Sequence, residues 1–118
     1  MPRHPAVAYL FLVRKEIDRS MKYYVFKLIA PRPTFVLDMT AEERELMQAH
    51  SAYWRGLMAK GLVIIFGPVA DPTGPYGLGV VRLDEKTDPS SIWIDDPVIK
   101  AKKGFRFEVS PMLSAVVP

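Results

Sequence analysis

Two histidines, an Asp-Asp-Pro sequence and a complete lack of cysteine bound the chemistry open to this chain of 118 residues. His4 lies among the first twenty residues, which leaves His50 as the one histidine of the body. It stands four residues after Leu46 and four before Trp54, so a helix through this stretch carries it on its apolar face. A lone histidine in such a stripe has two readings. It is either a core imidazole satisfied by a backbone carbonyl, or a general acid or base, since an unperturbed pKa of about 6.5 lets a partly buried imidazole beside a carboxylate exchange protons at neutral pH. Asp95 and Asp96 are the obvious carboxylate partners. Stopping a helix at Asp-Pro accounts for Asp96 and leaves Asp95 unexplained.

Other chemistries are excluded or remain secondary. Without Cys there is no disulfide framework, thiolate zinc site, iron-sulfur cluster or cysteine nucleophile, and no cofactor or metal is expected. The glycines of Gly74 to Gly79 (GPYGLG) do not make a phosphate loop, because the following pattern is a strand and a phosphate cradle needs a helix N-terminus there. Tyr76 to Leu83 imitates an RNA-binding octamer but has Leu78, Val80 and Leu83 where bases would need aromatic side chains to stack on, so no nucleic-acid partner is expected. Lys27 and Arg82 either favour a carboxylate or phenolate ligand or are a solvated pair of charges. Tyr53 and Trp54 either wall an aromatic ring or pack the core.

The elements that would position these residues follow from periodicity and stop signals. Tyr23 to Ala30 reads as a strand ending at Pro31-Arg32-Pro33, with Tyr24, Phe26 and Leu28 on one face and Tyr23, Val25, Lys27 and Ile29 on the other. Thr40 and Glu43 form a capping box that opens a helix of about 20 residues, roughly 30 Å, closed by Gly61 as a left-handed cap. Leu62 to Phe66 is apolar throughout and reads as a strand buried on both faces, stopped at Gly67-Pro68. A turn at Asp71 to Pro75 leads to a strand at Leu78 to Leu83. A short helix from Asp88-Pro89 to Trp93 stops near Asp96-Pro97, and a last strand spans Phe105 to Val109. The order βαββαβ is the ferredoxin-like, split βαβ arrangement of an α+β domain, with both helices on one face of a four-stranded antiparallel sheet. The open face keeps Val25, Ile29 and Val80. A second copy pairing sheet to sheet is the simplest cover, a monomer with scattered apolar residues the alternative.

The chain carries 16 Lys and Arg against 13 Asp and Glu. Four of those basic groups and two of the acidic ones fall in residues 1–20, leaving a nearly neutral body whose one close basic cluster, Lys100, Lys102 and Lys103, reads as a solvated turn. The apolar run Ala6 to Val13 is too short to span a bilayer and is followed at once by Arg14, Lys15 and Glu16 without a small-residue cleavage site, so neither a membrane span nor a leader is expected and the location expected is cytoplasmic. Met21-Lys22 reads as a second possible start. Residues 1–20 are therefore read as an extension, disordered or an added helix, and 21–118 as the domain.

In order and spacing, YYVFKLIAPRPTF, DMTAEERELMQAHSAYW, KGLVIIFGPVADPTGPYGLGVV, IDDPVIKA and GFRFEVSPM resemble the YCII-related (YciI-like) family over nearly all of residues 22–112. The resemblance implies a dimeric α/β barrel of ferredoxin-like subunits with a proposed His/Asp pair and no settled reaction. The family histidine falls on His50 and the aspartate before proline on Asp96. Gly67 and Pro68 match the family Gly-Pro, as wall residues that shape the site. The chain departs from the family in its first 20 residues and in Lys102-Lys103 before Gly104. The expected function is proton chemistry on a small polar or aromatic metabolite, by elimination, isomerisation or hydrolysis. The alternative is a dimer that binds or senses a small metabolite without turnover, and an interaction or structural dimer is a third reading.

Overall fold

The computed structural model describes residues 21–118, and the extension expected over residues 1–20 lies outside them. Strand β1 (Met21–Ile29) is followed by a single helical turn, α1 (Phe35–Asp38), and the long helix α2 (Ala41–Ala59). Strands β2 (Val63–Val69) and β3 (Tyr76–Asp84) form a hairpin. Two short helices, α3 (Ser90–Trp93) and α4 (Pro97–Lys100), precede β4 (Arg106–Pro111). The four strands lie in the order β2-β3-β1-β4, every neighbouring pair antiparallel. This is the split βαβ layout, with α1 and α4 added to the expected elements.

Local chemistry fixes α2 at both ends. Thr40 Oγ1 accepts the Glu43 amide at 3.1 Å, and Glu43 Oε1 accepts the Thr40 amide at 2.9 Å, which completes the capping box. At the other end Gly61 takes φ +78°, the Gly61 amide donates to Met58 O and the Leu62 amide to Leu57 O. Those two bonds form a Schellman closure, which needs the left-handed conformation glycine adopts without strain.

Alternation along the strands divides the sheet. Phe26, Leu28, Val81 and Leu83 are buried, and Phe26, Val81 and Leu83 pack with Trp54 and Leu57 of α2, Val63 and Ile92 in the main core. Leu28 joins Phe35, Val98 and Phe105 in a second cluster toward the far end of α2. The pairs Tyr23↔Arg82, Val25↔Val80 and Lys27↔Glu108 place those residues together on the other face.

Three expectations are corrected. Leu62 to Phe66 is not buried on both faces: β2 is an edge strand, Val63 is buried, but Ile64 and Ile65 are 45% and 57% exposed beside a register shift between Val63 and Ile65. Nor does Gly67-Pro68 stop the strand. Pro68 pairs opposite Gly77 and the strand runs to Val69, because an edge position tolerates a residue with no amide to donate. Asp96-Pro97 is also more than the helix stop expected, since it starts a further turn, α4, which Asp96 caps.

Candidate functional site

His50 lies in the third turn of α2, on the side facing the sheet, with its side chain 13% exposed. Its Nδ1 meets the carboxylate of Asp96, 2.8 Å from Oδ2 and 3.1 Å from Oδ1. Asp96 is fully buried. It lies 46 residues further along the chain and is held by more than the imidazole. The indole Nε1 of Trp54 donates to Oδ2 at 2.7 Å, and the Val98 amide donates to Oδ1 at 3.0 Å as part of the α4 cap. Pro97 at the first helical position removes an amide that would otherwise need a partner, so the cap and the His50 contact share one carboxylate.

This arrangement selects a tautomer. A carboxylate that already accepts from an indole and an amide is an acceptor toward His50 as well, so Nδ1 carries the hydrogen and Nε2 carries the lone pair. No hydrogen bond to Nε2 is formed within the described residues. The nitrogen available for proton exchange therefore belongs to a ring whose other nitrogen is anchored. Asp95, the other carboxylate considered, is exposed and lies 3.6 Å from Lys100 Nζ. Of the neighbouring Asp pair, only Asp96 joins the histidine.

A cavity of about 350 Å³ lies between α2 and the sheet and is lined in part by His50. Trp54, Phe66 and Phe107 contribute aromatic surface, Gly67 and Pro68 form the wall on β2, and Phe35, Val36 and Met39 close it from the α1 side. Trp54, Gly67 and Pro68, singled out from the sequence, are all brought to this cavity. Lys27 and Arg82 are not. They stand on the opposite face of the sheet, where Lys27 Nζ lies 4.5 Å above the ring of Tyr76 and Arg82 Nε is buried without a hydrogen-bond partner among the described residues. Tyr53 donates its hydroxyl to Ile92 O at 2.7 Å, and burial, with Asp95 and Asp96 nearby, pushes its hydroxyl above the usual phenol range. Its place is in the packing between α2 and α3, outside the cavity.

Three contributors escaped sequence reasoning. Ser51 follows His50 into the cavity lining and adds a hydroxyl there. Phe35 to Met39 forms a roof in a stretch, between Pro33 and Thr40, for which the sequence reading gives no element. Gly79, part of the rejected GPYGLG pattern, lies directly under the Trp54 ring: a Cβ placed on it would stand 2.7 Å from Trp54 Cη2 and closer still to Cζ3. The glycine is there for close approach of an indole.

The YCII-related domain model matches residues 21–113, which takes in every strand, α2, His50 and Asp96. The chain belongs to the YCII-related family. No curated protein and no solved structure matches it. Among the described residues of this YCII-related chain, no group of three or more His, Asp or Glu is placed to hold a metal ion, and no helix is long and apolar enough to cross a membrane.

Proposed function

We propose that this YCII-related protein is a small-molecule enzyme in which His50 moves a proton on a substrate held in the cavity, with Asp96 orienting the imidazole. The observation that supports it is the Nδ1 anchor on a fully buried carboxylate, with no hydrogen bond to Nε2 among the described residues, on a ring that lines an apolar cavity. Nε2 would take a proton from a substrate C–H or O–H, leaving the bonding pair on the substrate. The imidazolium so formed faces the Asp96 carboxylate, which stabilises it. Return of the proton to a different substrate atom gives an isomerisation; loss of a leaving group with the retained electron pair gives an elimination. Each balances with no further reactant. General acid-base steps of this kind contribute about 10²–10⁴-fold.

A second copy completes the reading. Val25, Val80 and the exposed Ile65 of the open face, together with an Arg82 Nε that finds no acceptor among the described residues, support a sheet-to-sheet homodimer, the unit of a dimeric α/β barrel.

The test is hydrogen exchange with solvent. A panel of small metabolites is incubated with the protein in D2O, and deuterium incorporation and product formation are followed by NMR and mass spectrometry. At least one compound is expected to exchange or turn over, with a loss of about 100-fold or more in His50→Ala and Asp96→Asn. Exchange that survives His50→Ala overturns the assignment. A panel without any exchange, in which a compound nevertheless raises the melting temperature, favours the metabolite-binding dimer.

A further inference from the structure

We infer that the cavity takes an uncharged, ring-bearing ligand that offers His50 a single acidic hydrogen, and that it rejects carboxylates and phosphates built on the same ring. The inference rests on His50 as the proton-transfer group and goes on to the class of molecule it serves.

The first ground is the charge of the lining. No Lys, Arg, Asp or Glu is among the residues that line the cavity; its polar residues are His50, Ser51, Trp54 and, at the β3 end, Tyr76, whose ring turns to Lys27 on the far face of the sheet. An anion entering such a space would give up its hydration without meeting a cation, and burying an unpaired charge costs far more than burying a hydroxyl. Cations nearby in the sequence are already engaged. Arg32, three residues before the roof residue Phe35, holds Glu43 through Nη1 and Nη2 at 2.8 and 2.7 Å and Asp38 through Nε at 2.7 Å. Lys27 is on the other face of the sheet, over Tyr76.

The second ground lies behind the imidazole. The buried Asp96 carboxylate already backs His50, so an anionic ligand at Nε2 would bring a second negative charge to a ring that already faces one. A neutral ligand reverses the effect: when its acidic hydrogen passes to Nε2, the ligand anion forms next to an imidazolium, and no net charge has entered the cavity. The third ground is shape. Trp54, Phe66 and Phe107 supply aromatic faces for offset or edge packing against a flat ring, and Met47 supplies an adaptable side chain. The Ser51 hydroxyl, on the residue after His50, offers a second hydrogen bond to an oxygen on that ring.

The experiment uses one scaffold in three charge states: 2-naphthol, 2-naphthoate and 2-naphthyl phosphate, titrated at pH 7.5 into the full chain with its histidines labelled with nitrogen-15. 2-Naphthol is expected to shift the His50 Nε2 resonance and to bind at least tenfold more tightly than either anion, and His50→Gln is expected to weaken it. Equal or tighter binding of naphthoate or naphthyl phosphate overturns the inference, as does naphthol binding that leaves His50 unmoved, or no binding by any of the three. The outcomes separate from those for proton transfer. Deuterium exchange restricted to anionic metabolites would keep the dyad and end this inference, whereas selective naphthol binding without exchange in any compound would keep the selectivity and end the enzyme reading.

Discussion

At the scale of single residues, the site depends on how many donors converge on Asp96. Replacing it with Asn keeps the volume but turns one oxygen into a donor facing the indole N–H, the Val98 amide or Nδ1 of His50. Asp96→Asn should therefore reverse the His50 tautomer, and turnover should fall by about 100-fold or more while the backbone fold, checked by amide NMR, is kept. Trp54→Phe tests the third donor. It removes the indole N–H together with one ring of a fully buried side chain, so the cost in denaturant melts should be at least that of a hydrogen bond to a charged group, about 1.5–3 kcal/mol. The two roles of Asp96 differ in how easily sequence reveals them. An aspartate before proline reads equally as a helix stop, and only likeness to the YCII-related family singled it out over Asp95. His50 was easier, because its spacing from Leu46 and Trp54 is a helical period.

At the scale of elements, the roof and the seat of the indole matter most. Arg32 ties the turn after β1 to the first turn of α2, gripping Asp38 and Glu43 together, and Thr34 adds a hydrogen bond to Asp38 at 2.6 Å. The Arg32 guanidinium and the Thr40 amide hold the Glu43 carboxyl down at about 2. A carboxyl whose folded pKa is depressed contributes stability above its unfolded value near 4.5, and that contribution is lost as pH falls toward 2. Glu43→Gln should therefore lower the melting temperature at pH 7, and the gap from the parent protein should close between about pH 4.5 and pH 2. Gly79→Ala makes the opposite kind of change, adding an atom where Trp54 already lies. Overpacking of this kind should cost about 1–3 kcal/mol and displace the indole from Asp96, so stability and the His50 resonance change together. Neither contact was legible in the sequence. The capping box and Gly61 were, because each is settled within a few residues. The Gly79 contact depends on β3 crossing beneath α2, and the roof on where the turn after β1 comes to rest.

At the scale of the whole molecule, the layer order was readable from alternation and stop signals, and the edge position of β2 was not. An all-apolar run looks the same whether both faces are covered by its own chain or one awaits another surface. Ile64 and Ile65 are exposed at 45% and 57% on an edge strand, so the described residues do not cover both faces. If the open face pairs with a second copy, Val80→Glu places a charge at the middle of that contact, on the side of β3 away from Trp54. Sedimentation equilibrium should then give a dimer for the parent chain and a monomer for the variant, with the His50–Asp96 pair unchanged by NMR.

Trp54 also makes the protein its own optical reporter. Its indole touches the dyad through Asp96 and the cavity through its ring, and its centroid is 6.0 Å from that of His50. Trp93 is the only other tryptophan, and Trp93→Phe would leave Trp54 as the sole long-wavelength emitter. Filling the cavity or breaking the indole's bond to Asp96 alters the surroundings of that one fluorophore, so occupancy of the site becomes readable in a cuvette.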